Sequence, residues 1–294
     1  MTETISQAQL IEAGENAPSR RRNPLQTLAF QGFLILVALV ALVPVYYMLA
    51  TSFKTPTNYN IDKLGLPSEF VLTNYTEVLV NHPFFLWMAN SAILSGGAVL
   101  LSSAIAMMAA FAIARMNFRG RETLLAVSTS LMAIPPVVMI VPLFVLFSQI
   151  DLLGTYHGVI LIYAGLITPF SVYLLVSFFR TIPTELIEAA LIDGASSFGV
   201  LVRIILPLSG PPLVTLVIVN LLYVWNDLLI ALLFLPDERL RTLMVGVSVF
   251  QGRYLQNIPL SMTGMFLASL PMLIIYIAFQ RYFIRGMVAG AIKG

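Results

Sequence analysis

Few side chains in this sequence are suited to covalent or acid–base chemistry. It has no cysteine, two histidines (His82 and His157) and three lysines (Lys54, Lys63 and Lys293). Without cysteine there can be no disulfide, thiolate metal site or cysteine nucleophile. Neither histidine belongs to a His-Glu-x-x-His run, so a zinc hydrolase lacks its ligands. A phosphate-binding loop needs Gly-Lys followed by Ser or Thr, and none of the three lysines follows a glycine. This chain therefore cannot supply that motif, and ATP-driven work would need another polypeptide. Asp227 stands out, because it follows Trp225 and Asn226 inside a long apolar run. A carboxylate at membrane depth costs about 2.5–3.5 kcal/mol at the bilayer centre, so it usually faces a cavity or a partner. An aromatic face beside an amide and a carboxylate suits the ring and hydroxyls of a sugar. Solvation near the outer surface, or a structural hydrogen bond, would also account for Asp227. Tyr223 lies two residues before Trp225 and so points away from it on a helix.

The elements that would position these residues are set by composition. Apolar residues make up 59% of the 294, and only 10% are Asp, Glu, Lys or Arg. A soluble domain carries about 25% charge. The chain is therefore expected to be an all-α integral membrane protein. Its net charge of +2 gives no reason to expect nucleic acid as a partner. Crossing about 30 Å of hydrocarbon takes roughly 20 apolar residues. Six stretches qualify, at about 29–50, 91–114, 123–147, 157–179, 212–235 and 262–283. The first is too long for a signal-peptide core and is read as a retained helix. Residues 1–26 form a polar tail expected to be disordered and cytoplasmic, and 27–294 form the transmembrane domain. With the N-terminus inside, eleven Lys and Arg fall on the inner side and five in the outer loops, 51–89 and 236–261. That bias places both termini in the cytoplasm.

Ala98, Ser102, Ala106, Ala110 and Ala114 recur every four residues. In lipid such a ridge lets helix backbones approach closely, either within this chain or against a partner subunit. Pro135, Pro136 and Pro142 disturb the third stretch, as a kink or as a wall of a transport path. The inner segment 180–211 reads as two short helices. Pro183, Glu185 and Glu188 suit the start of the first, and Gly194 suits its end. A second helix from about Ser196 is expected to stop at Pro207. Such a unit could transmit force as a rigid body, or could simply cover the bundle.

Glu188-Ala189-Ala190, Asp193-Gly194-Ala195, Ile204, Leu206-Pro207 and Pro211 together resemble the "EAA" signature of binding-protein-dependent ABC importer permeases. The segments IPPVVMIVPLFVLF, LLGTYHGVILIY, VWNDLLIAL and RGMVAGAIKG are similar to the carbohydrate-uptake branch, and within it to the smaller, maltose-permease-type subunit. The likeness runs from about residue 29 to 294. It implies a type I ABC importer permease fold in a prokaryotic inner membrane. The implied partners are a second permease, two ATPase subunits carrying ATP and Mg, and a solute-binding protein, with a sugar as cargo. This chain would hold no cofactor and hydrolyse no ATP. The resemblance assigns Glu188, Ala189, Ala190, Asp193, Gly194, Ala195 and Pro207 to ATPase coupling, and brings Arg285, Gly286 and Lys293 of the tail toward the same ATPase. An importer of an amino acid, phosphate or phosphonate is the alternative within the family. A self-sufficient secondary transporter is the alternative outside it, although the chain shows no internal repeat. A membrane enzyme would need paired carboxylates or a Ser/His pair at membrane depth, and neither is evident.

Overall fold

Proline and glycine punctuate a chain whose described regular elements are all helical. The computed structural model describes residues 24–253 and 257–291, with side chains described at 25, 28–248, 250 and 257–280. Two compact units comprise residues 1–47 and 48–294. The helix α1 (Pro24–Ser52) begins at Pro24, which needs no hydrogen-bond partner at a helix start, and carries no acidic or basic side chain. The expected tail lies, up to residue 23, outside the described residues.

In the second unit, α2 (Pro56–Ile61) and α3 (Thr73–Val80) precede α4 (Phe84–Arg115). Then come α5 (Arg121–Ser130), α6 (Pro136–Gln149), α7 (Tyr156–Phe179), α8 (Thr184–Ile192) and α9 (Ser197–Leu208). The chain continues through α10 (Gly210–Trp225), α11 (Leu229–Phe234), α12 (Leu243–Arg253) and α13 (Ile258–Ala291). Four helices among the described residues are long and apolar enough to cross a membrane, and two bent pairs raise the number to as many as six.

Two of the expected stretches are not continuous helices. The stretch expected as one helix over 123–147 breaks between α5 with its 3-10 turn (Leu131–Ala133) and α6, by 99°. Ile134, held extended by the proline that follows it, is the hinge. The stretch 212–235 stops at Trp225, because Asp227 Oδ1 accepts hydrogen bonds from the amides of Ile230 and Ala231 and so starts α11 instead. The expected outer loops also contain ordered helices. Lys54 is fully buried and donates to the Asp62 carbonyl at 2.8 Å, while Asn74 Nδ2 donates to the Ser52 and Lys54 carbonyls. Thr263 of α13 also donates to the Ser52 carbonyl, which ties the segment after α1 to that helix.

The small-residue ridge is used within the chain. Ala98, Ser102, Ala106 and Ala110 are completely buried along α4. There Ser102 and Ser171 of α7 share a hydrogen bond at 3.3 Å, so backbone approach rather than large apolar area holds this central pair. One apolar cluster joins Ala110 and Phe111 to Leu175, Ile187, Ile205 and Leu216. A second gathers Leu94, Tyr163 and Phe234, and a third Trp87, Trp225, Phe250 and Met272.

Close approach also fixes the start of α7. Thr155 Oγ1 accepts from the Gly158 amide, and a Cβ on Gly158 would lie 2.3 Å from the Leu152 carbonyl oxygen. Gly158→Ala is expected to cost about 1–3 kcal/mol by overpacking. A detergent thermal-shift series should show its midpoint below that of Gly165→Ala, a position with nothing within 4 Å of the added Cβ.

Candidate functional site: a helix pair and a cavity

Glu185 lies in the first turn of α8, where the helix dipole favours a carboxylate. The helix ends in a Schellman motif: the Gly194 amide donates to the Leu191 carbonyl, and the Ala195 amide to the Ala190 carbonyl at 2.9 Å. This closure requires a left-handed residue, and Gly194 has φ +81°. Ser196 Oγ then accepts from the Gly199 amide and starts α9.

Pro207 does not end α9, contrary to expectation. The helix reaches Leu208 because residues Leu201–Ile205 widen into a π-turn, in which the Leu206 amide donates to the Leu201 carbonyl. The wider turn moves backbone away from the proline ring, which would otherwise meet the carbonyl four residues earlier. The chain bends by 81° after this point, where Ser209 Oγ donates to the Ile205 carbonyl and α10 begins.

The signature residues divide between two faces. Ala190 and Ala195 pack partly buried on the cluster around Ile187 and Ile205. Glu188, Ala189, Asp193, Gly194 and Pro207 are exposed, and a Cβ on Gly194 would meet nothing within 4 Å. Beside them stand two large apolar side chains, Ile192 (85% exposed) and Phe198 (67% exposed). Apolar side chains exposed on a polar rim are the usual marks of a protein-binding surface.

Trp225, Asn226 and Asp227 are not brought to one surface. Trp225 is buried in the cluster of α12 and α13, with its indole Nε1 donating to the Ala268 carbonyl. Asn226 Nδ2 donates to the Leu222 carbonyl. Asp227 Oδ1 accepts from the Tyr163 hydroxyl at 2.8 Å as well as from the two α11 amides. Asp227 Oδ1 is thus engaged in structural hydrogen bonds, while the residue itself is partly exposed. Arg285 and Gly286 belong to α13, but their side-chain positions and all of Lys293 lie outside the described residues.

The open space is elsewhere. A cavity of about 480 Å³ lies between α6, α7 and α10, and Met139, Phe147, Phe170, Asn220 and Tyr223 are among its lining residues. Asn220 is 2% exposed and donates to Ser171 Oγ at 2.8 Å. Ser171 donates in turn to the Ile167 carbonyl, and Thr168 donates to Ser102 Oγ. This hydroxyl and amide cluster surrounds Pro169, which interrupts the α7 ladder. Asn220 was legible in principle as an amide amid apolar residues, three positions before Tyr223. Among the described residues no group of three or more His, Cys, Asp or Glu could hold a metal ion.

Comparison with known proteins agrees with this architecture. The family model for the binding-protein-dependent transport system inner membrane component matches residues 102–289. The melibiose/raffinose/stachyose import permease of Bacillus subtilis is 33% identical over 260 residues, covering 88% of this chain and 94% of the relative. The trehalose/maltose transport system permease of Thermococcus litoralis is 33% identical over 267 residues, with 88% and 94% coverage. In fold, the chain resembles the crystal structure of a bacterial ABC transporter involved in import of the acidic polysaccharide alginate. That match has a TM-score of 0.78 at 22% identity and covers 90% of this chain and 98% of the other. A left-handed glycine between two short helices, a proline-bent helix bundle and these matches have one common source: the chain belongs to the inner-membrane permease family of binding-protein-dependent ABC transporters.

Proposed function

We propose that this chain is one of two permease subunits of an ATP-driven importer for a sugar or oligosaccharide. It crosses the membrane six times with both termini in the cytoplasm. The segment 180–211 docks on a separate ATPase dimer, and a solute-binding protein delivers cargo to the outer side. The observation that carries this proposal is the inner helix–glycine–helix element. Ala190 and Ala195 face the bundle, while Glu188, Ala189, Asp193, Ile192 and Phe198 face outward. ATP binding and hydrolysis belong to the partner, since this sequence has no Gly-Lys pair to hold phosphate. The C-terminal residues Arg285, Gly286 and Lys293 approach the same ATPase.

A saccharide as cargo is supported by the relatives, whose names specify melibiose, raffinose, stachyose, trehalose and maltose. Within this subunit the polar side chains that line the cavity are Asn220, hydrogen-bonded to Ser171, and the exposed Tyr223, whereas Trp225 and Asp227 Oδ1 are engaged in the fold. Buried polar groups at membrane depth belong beside a water-filled path rather than lipid.

Reconstitution tests the proposal. In liposomes holding this chain with its cognate second permease and ATPase, sugar entry should require both MgATP and the binding protein. Sugar entry through the purified chain alone would instead identify a self-sufficient transporter.

A further inference from the structure

The coupling element needs a mechanical link to the spans it is to move, and one arginine occupies the place where such a link must lie. Arg115 is the last residue of α4, and its Nη2 donates to the carbonyls of Phe179 and Ile182, while Nη1 reaches Thr184 Oγ1 at 3.4 Å. Phe179 is the last residue of α7, Ile182 lies in the short connection that follows, and Thr184 opens α8. A single planar guanidinium therefore joins the end of one span, the linker and the first turn of the coupling helix to the end of another span. The Phe179 carbonyl ends α7 without an intrahelical donor and carries partial negative charge, so a cation beside it is favoured.

Apolar packing reinforces the same junction. Ile182 and Ile187 are buried among Ala110, Phe111 and Ile113 of α4. On the other side of the linker, Arg180 Nη2 meets Glu122 Oε1 of α5 at 2.6 Å. Residues 180–187 thus have contacts with the ends of α4, α5 and α7, whereas Ile192 and Phe198 extend freely beyond them.

We infer that Arg115 is a positioning residue for transport: it fastens α8 to α4, so that displacement of the coupling element by the ATPase moves α4 with it. The inference rests on the coupling role proposed above. Because the chain has no cysteine, a pair introduced at Leu186 of α8 and Met108 of α4, both exposed, can carry spin labels when the partner subunits are also cysteine-free. In the assembled transporter, the 186–108 distance distribution should be narrow and identical in the nucleotide-free and ATP–vanadate-trapped states. Arg115→Gln should broaden it or shift it between states, and Arg115→Lys, which keeps a cation at the carbonyls but loses the planar fork, should broaden it less. An unchanged distribution in Arg115→Gln would overturn the inference. So would a shift on trapping in the unsubstituted chain, or a distribution as broad in Arg115→Lys as in Arg115→Gln. Failure of the docking proposal would look different, since no ATPase would co-purify and no vanadate-trapped state would form.

Discussion

Gly194→Val is expected to abolish ATP-dependent uptake while the chain still inserts and folds. Gly194 sits at φ +81°, where an L-residue costs roughly 1–2 kcal/mol and a β-branched one is least tolerated. The Schellman closure that depends on this angle turns the chain from α8 into α9. A Cβ there would meet nothing within 4 Å, so no clash inside the chain would compound the strain. The loss should therefore fall on the exposed surface formed by Glu188, Ile192, Asp193 and Phe198. Gly194→Asn is the informative companion, because asparagine enters the left-handed region more readily. It should preserve the turn and add only bulk. Membrane yield, ATPase co-purification and uptake, measured together on both variants, separate a misdirected turn from an obstructed surface. Normal uptake by Gly194→Val would remove the coupling assignment.

The second large effect is expected at Asp227, and it concerns stability rather than cargo. Asp227→Leu removes the acceptor for the Tyr163 hydroxyl, on a side chain only 1% exposed, and for the amides of Ile230 and Ala231. Each buried donor left without a partner costs about 1–3 kcal/mol, so the total loss is several kcal/mol even if the effects are not additive. The substituted chain should give little detergent-stable protein. Asp227→Asn keeps an acceptor oxygen at the same place and should recover most of the yield and thermal stability. If Asp227 instead contacted sugar, Asp227→Asn would assemble normally yet lose uptake, and that pair of results would contradict the structural assignment.

These two residues also show how much of the architecture can be read from the sequence. The turn at Gly194 is local: glycine, the capping serine after it and the acidic first turn before it all act within a few residues. The four-residue ridge of α4 is equally legible, because helical periodicity alone puts Ala98, Ser102, Ala106 and Ala110 on one face. Deciding that this ridge meets α7 rather than another subunit required the long-range pairing of Ser102 with Ser171. Asp227 was visible as an anomaly, but its partner Tyr163 lies 64 positions earlier in the chain, so its role could not be inferred locally. The same holds for Arg115, which looks like one more positive-inside charge until its contacts with Phe179 and Ile182 are seen. The π-turn that carries α9 past Pro207 has no comparable sequence signal, because it is a response of neighbouring backbone to the ring.

The docking of the inner element on an ATPase can be tested by a single cross-linking measurement. With no native cysteine, Asp193→Cys supplies one reactive thiol on the exposed face beside Gly194. A short bifunctional reagent applied to the assembled transporter in inside-out vesicles should join Asp193→Cys to the ATPase subunit. Ile61→Cys, 83% exposed on the outer segment, should give no such product. An ATPase cross-link from Ile61→Cys with none from Asp193→Cys would contradict both the docking surface and the orientation of the chain.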